Sequence, residues 1–227
     1  MNRTLSVVRL QLVNTQTYVW VPLLVLGGAF GITMLIFALL PVGGIVGGGA
    51  QAPMWYFLVV GVQSLTLTFP FSQALSVTRR EFYAGTVLTA LLASAALAVI
   101  YVLGGLLEEA TGGFGTGSIF FQVPGVWSDG WAVAGLLYLV LSFAFFKVGF
   151  FCAVVYKRFG TLVLTTGLIA AAVVTLLVVW AVTRLEAWGQ VTGWVADAGV
   201  LGLTLWSLPV LGVLALVSYG LLRRALP

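Results

Sequence analysis

Lys147 is the one charged side chain set deep within an apolar stretch of this chain, and few other residues could do chemistry beside it. The sequence contains no His, and Glu81, Glu108, Glu109, Asp129, Glu186 and Asp197 all fall outside the long apolar segments. That excludes haem ligation by His, carboxylate proton relays within a membrane and the usual intramembrane proteases. No Gly-Lys dipeptide occurs, so the loop that cradles nucleotide phosphates is absent too. The lone Cys152 lies in an apolar stretch, has no second cysteine to pair with and reads as a small apolar side chain. The expectation is a non-enzymatic chain with no catalytic residue, no metal ligands and no bound cofactor.

The polar residues that do enter apolar segments have two readings. Gln63, Thr66, Pro70 and Gln73 recur at helical-face offsets, and helices hide such groups from lipid. They line either a translocation path or a hydrogen-bonded contact between helices. Thr161, Thr165 and Thr175 are a weaker signal, because threonines commonly bond their own preceding turn. Lys147 lies ten residues before Lys157, about 15 Å from the basic end by helical rise. Left unpaired there it costs on the order of 2.5–3.5 kcal/mol. It must snorkel, bond helix-end carbonyls or face a wet cavity able to hold an anionic head group. Candidate path residues are Gln63, Thr66, Gln73, Lys147 and Thr165.

The elements that position these residues follow from composition. With 61% hydrophobic and 7% charged residues in 227, no stretch is polar enough to form a separate soluble domain. The pattern predicts one all-α, polytopic membrane domain over residues 1–227. Six spans of about 20 residues are expected near Tyr18–Leu40, Met54–Ser76, Ala84–Leu107, Trp131–Tyr156, Gly160–Thr183 and Val200–Leu222. The first is full span length and begins late, which argues against a cleaved signal. Tyr18, Trp20, Trp55, Tyr56, Trp127, Trp131, Tyr156, Trp180 and Trp206 cluster near the expected interfaces. Small residues at Gly27/Gly31 and Ala90/Ser94/Ala98 fit close helix packing.

Charge orients the bundle. Arg3, Arg9, Arg79, Arg80, Lys157, Arg158, Arg223 and Arg224 fall at the two ends of the chain and in alternate loops, whereas Arg184 alone interrupts the acidic remainder. By the positive-inside rule the basic faces are cytosolic, and both termini with them. The sequence pI near 9.5 therefore reflects membrane boundaries and contact with lipid head groups, and no nucleic-acid partner is expected. Arg3–Thr17 reads as an interfacial helix with Leu5, Val8 and Leu12 on one face and Gln11 and Asn14 roughly opposite. Leu185, Trp188, Val191, Trp194, Val195 and Ala198 share one side of a second short helix on the outer surface. The Gly-rich stretch from Glu108 to Gly130 is a lid, a partner contact or a disordered loop.

The most specific segment joins the second and third spans, Ser76-Val77-Thr78-Arg79-Arg80-Glu81-Phe82-Tyr83-Ala84-Gly85-Thr86-Val87-Leu88. Thr78 and Glu81 have capping-box spacing, so a brief helix between the spans is expected. A charged cluster followed by Gly85-Thr86 and an apolar helix, in a six-span chain of this length, resembles the permease subunits of ABC-2-type transporters. The resemblance covers the whole architecture, but its motif is confined to Arg79–Thr86. It implies that Thr78, Arg79, Arg80, Glu81, Phe82, Tyr83, Gly85 and Thr86 form a coupling helix that docks on a separate ATP-binding subunit. Phe82 and Tyr83 would fill an apolar notch there while the charges set orientation.

The resemblance further implies a second permease chain, identical or related, and ATP with Mg held by the partner subunit. It implies export of an amphiphilic compound across a bacterial-type cytoplasmic membrane. It also casts the second span as a wall of the path. A self-contained channel or ion-gradient carrier is the competing class. That class needs polar residues in several spans, and the first, third and sixth carry almost none. A membrane scaffold without transport is the third possibility.

Overall fold

The computed structural model describes residues 3–13, 15–39 and 46–223, and the backbone alone of Arg3. Asn14, Leu40 and Arg224 lie outside the described residues. The described chain is helical, and its one β-type contact is an isolated bridge between Val46 and Ile119. A short helix, α1 (Arg3–Val13), precedes five runs that are long and apolar enough to cross a membrane. These are α2 (Gln16–Leu39), α3 (Gly49–Ala74), α4 (Arg79–Ala110), α5 (Trp131–Arg184) and α6 (Trp188–Leu222). The fold is that of a helical, multi-pass membrane protein.

Two of these runs are broken by glycine. The 54 residues of α5 would extend about 80 Å as one rod, more than twice the hydrocarbon thickness. At Gly160 the backbone leaves the helical region with φ 84° and ψ 178°, a conformation that needs glycine. Gly199, at φ 61°, divides α6 in the same way, leaving Trp188–Ala198 as the short helix expected before the last apolar segment. α3 is irregular for another reason. Pro70 has no N–H to donate, and the turn before it, Ser64–Thr68, widens to the π form. Ser64 and Thr66 donate their hydroxyls to the Gly61 and Val62 carbonyls, which keeps both polar groups satisfied inside their own helix.

The core lies where α3, α4 and the first half of α5 meet, with Phe57, Phe69, Phe82, Tyr101, Phe146 and Phe150 fully enclosed. Where α3 crosses α5, each helix sets a glycine against the other's backbone. A Cβ at Gly61 would strike the Phe146 carbonyl of α5, and one at Gly149 would strike the Leu58 carbonyl of α3. Lipid supplies no hydrophobic drive between spans, so this backbone approach has to generate the attraction by dispersion. The residues from Thr161 to Trp194 behave differently: Leu162, Leu176 and Trp180 are 75%, 68% and 62% exposed. That stretch presents its apolar surface outward, against lipid or another chain.

Two expectations are corrected. The segment Arg79–Thr86 is the first two turns of α4, because the Thr78 cap starts the long helix directly and leaves no separate element. On α1 the buried side is Val7, Val8 and Gln11, whereas Leu5 and Leu12 point outward at 53% and 37% exposure. Packing against α4 selects that face over the one with more leucine. Of the aromatic residues expected near the interfaces, Tyr18 is buried at 9% exposure and Trp127 is partly buried against the core.

The glycine crossing gives a direct test. Gly61→Ala and Gly149→Ala should each destabilise by about 1–3 kcal/mol through overpacking, despite alanine's better helix propensity. Gly28→Ala, with open space around the added methyl, should leave thermal unfolding in detergent unchanged or raised.

Candidate functional site

The corner between α3 and α4 is built by local chemistry. Gln73 donates from Nε2 to the Val77 carbonyl at 3.1 Å, and Ser76 takes a left-handed conformation with φ 56° as the chain reverses. Thr78 then caps α4. Its hydroxyl accepts the Glu81 N–H at 3.3 Å, and the Glu81 carboxylate accepts the Thr78 N–H at 3.0 Å. Both orphan donors are satisfied, so the reversal is tight and the charged residues start at its edge.

The first turns of α4 face inward more than outward. Phe82 is fully buried, its ring edge-on to Phe69 at 5.0 Å. It is not an exposed anchor for a partner, and that expectation is corrected: in an apolar bundle the aromatic ring gains more from the core than from an open corner. Gly85 leaves room for Val7 of α1, and the buried Thr86 hydroxyl accepts the Gln11 Nε2–H at 2.8 Å. These two residues therefore seat the N-terminal helix on α4. Arg79 donates from Nη1 to the Arg223 carbonyl at 2.7 Å, joining the corner to the end of α6. The outward surface consists of Leu75, Ser76, Thr78, Arg80 and Ala84.

Tyr83 ties this corner to the interior. Its hydroxyl donates to the Ala215 carbonyl of α6 at 2.7 Å and accepts the Lys147 ammonium of α5 at 2.9 Å. Lys147 is 1% exposed, with its Nζ 4.7 Å from the Tyr83 ring centre and 5.5 Å from that of Phe143. A hydroxyl oxygen and two ring faces thus stand in for the absent acid. One phenol links three helices through a buried cation.

The expected path residues do not form one wall. Gln63 and Thr66 are half-buried on α3, Thr66 bonds its own backbone, and Gln73 caps the helix end. Lys147 lies between α4, α5 and α6. Thr165 is exposed on the second half of α5, donating to the Thr161 and Leu162 carbonyls at 3.0 Å each. The structure brings Lys147 to Tyr83 and leaves Thr165 on an outward face.

The opposite end holds a residue read from sequence only as a loop charge. Glu108 ends α4 at 3% exposure and accepts three successive backbone N–H groups, from Phe120, Phe121 (2.9 Å) and Gln122 (2.7 Å). Three N–H donors stabilise a buried carboxylate without any cation. Tyr138 and Trp127 both donate to the Phe121 carbonyl, at 2.7 and 3.2 Å, and Phe30 packs on Phe114, Phe120 and Phe121. The Gly-rich stretch is therefore a folded plug over this end of the core. A carboxylate one residue past an apolar segment, followed by a run of glycines, was the available signal.

The chain matches no protein-family model, no curated protein and no solved structure.

The Tyr83–Lys147 bond predicts an asymmetry. Tyr83→Phe leaves a buried ammonium without its hydroxyl and should lower stability by about 1–3 kcal/mol in a denaturation series. Adding Lys147→Met to that variant should recover most of the loss; simple additivity of the two effects would show that the bond contributes nothing.

Proposed function

We propose that this chain is the membrane-spanning subunit of an ATP-driven exporter of the ABC-2 type. In this reading the break at Gly160 divides α5 into two crossings, giving six in all. Both termini and the α3–α4 corner then face the cytosol. Supporting it, Arg79, Arg158 and Arg223 gather at one end of the molecule, while Glu108, Glu109 and the loop of Asp129 occupy the end capped by the plug. The nucleotide-binding subunit would dock on Arg80 and its exposed neighbours, since the chain has no nucleotide loop of its own.

The observation that carries the reading is the Tyr83 bridge. A push on the first turns of α4 would reach α5 through Lys147 and α6 through Ala215, each by a single direct hydrogen bond from Tyr83. Force delivered at the corner would shift three helices together, which is what a transport subunit without a motor requires. The exposed apolar surface of the second half of α5 would meet lipid and a second permease chain. A self-contained carrier would need a titratable coupling site open to the path, and Lys147 is instead sealed between helices.

Mild-detergent purification from native membranes should yield a stoichiometric partner that hydrolyses ATP. Arg80→Glu should reduce recovery of that partner at least about tenfold, a 1.4 kcal/mol effect, while the amount of folded chain stays constant. A chain that purifies alone and conducts ions in liposomes would overturn the assignment.

A further inference from the structure

Between Arg158, two residues before the Gly160 break, and the end of α6 lies an open cavity of about 540 Å³ lined by Arg158, Val217, Gly220, Leu221 and Arg223. Both guanidiniums are held by ring faces: Arg158 lies 4.7 Å from the ring centre of Phe159, and Arg223 lies 5.8 Å from that of Tyr219. Ring faces orient a cation and leave its charge in place. Among the described residues neither guanidinium has a carboxylate partner, and no acid lines the cavity. Arg79 bonds the Arg223 carbonyl, and Arg80 lines an adjoining cavity of about 400 Å³ with Tyr83 and Tyr219. The nearest acid on α4, Glu81, is engaged in the Thr78 cap.

The remaining walls are apolar. Val217 and Leu221 continue along α6 into Val213 and Val210, exposed at 61% and 67%. A ligand fitted to this shape has an anionic head and an apolar tail that runs along the outside of α6. We propose that this cavity is a binding site for an anionic phospholipid, with its phosphate between Arg158 and Arg223. Arginine suits the role because its planar fork meets phosphate oxygens in pairs. Basic pockets at the cytoplasmic ends of membrane helices are the setting in which lipid head groups are selected. A bound lipid would brace the chain beside the Gly160 break against the end of α6.

The test is native mass spectrometry of the full chain in detergent, titrated with phosphatidylglycerol, with phosphatidylcholine of the same acyl chains, and with inorganic phosphate. Phosphatidylglycerol should be retained selectively. Arg158→Gln and Arg223→Gln should each weaken retention about fivefold, Arg158→Lys less, and Arg184→Gln, at the other end of α5, not at all. Equal retention of phosphatidylcholine would overturn the site, as would unchanged retention in both glutamine variants. Inorganic phosphate that binds as well as the lipid would replace it with a free-anion site. Unchanged thermal unfolding of Arg158→Gln and Arg223→Gln, measured without added lipid, separates lost binding from lost folding.

Discussion

An ammonium group buried among apolar helices has to find its partners within the chain, and that requirement shapes this molecule around Lys147. The side chain is 1% exposed between α4 and α6 and, among the described residues, has no acid beside it. It is met by the Tyr83 hydroxyl and by two aromatic faces. Because Tyr83 belongs to the first turns of α4, the charge at the centre of the bundle fixes how the α3–α4 corner sits. The Ala215 carbonyl completes the arrangement by orienting the phenol, so its oxygen lone pair points at the ammonium.

Around that centre the bundle is held by two kinds of contact that need no hydrophobic drive. Gly61 and Gly149 bring backbones together on one side of Lys147, two residues from it in the case of Gly149. Polar pairs do the rest: Gln11 with Thr86 at the basic end, and Glu108 with three backbone N–H groups at the plugged end. The result is unequal. The first four apolar segments form a core with buried aromatic rings, whereas the chain from Thr161 to Trp194 is exposed on nearly every side. In the proposed reading the packed core would receive force and the exposed stretch would meet lipid or a second subunit.

Much of this was legible in residue patterns. Apolar length gave the long helices to within a few residues at most ends, since a span is defined by its transfer energy and little else. The Thr78–Glu81 spacing gave the cap, and the wide loop of glycines gave an irregular segment at the right place. What was not legible depended on which face each helix turns inward. Phe82 reads as an anchor in sequence and is core in the structure; Gln11 reads as solvent-facing and is buried against Thr86. Helical period names a face only when polarity differs around the helix, and these helices are apolar nearly all round. Glu108 was hidden for another reason: its partners are backbone N–H groups, which carry no residue signature.

The account centres on one claim, that the corner at Arg80 is where force enters from a separate motor subunit. The most direct measurement places a photo-crosslinking side chain at Arg80, and in a second sample at Ser128 near the plug, in intact membranes. The account predicts that Arg80 alone gives a covalent adduct with a nucleotide-binding protein, identified by mass spectrometry. No adduct at Arg80, or the same adduct from Ser128, would contradict it.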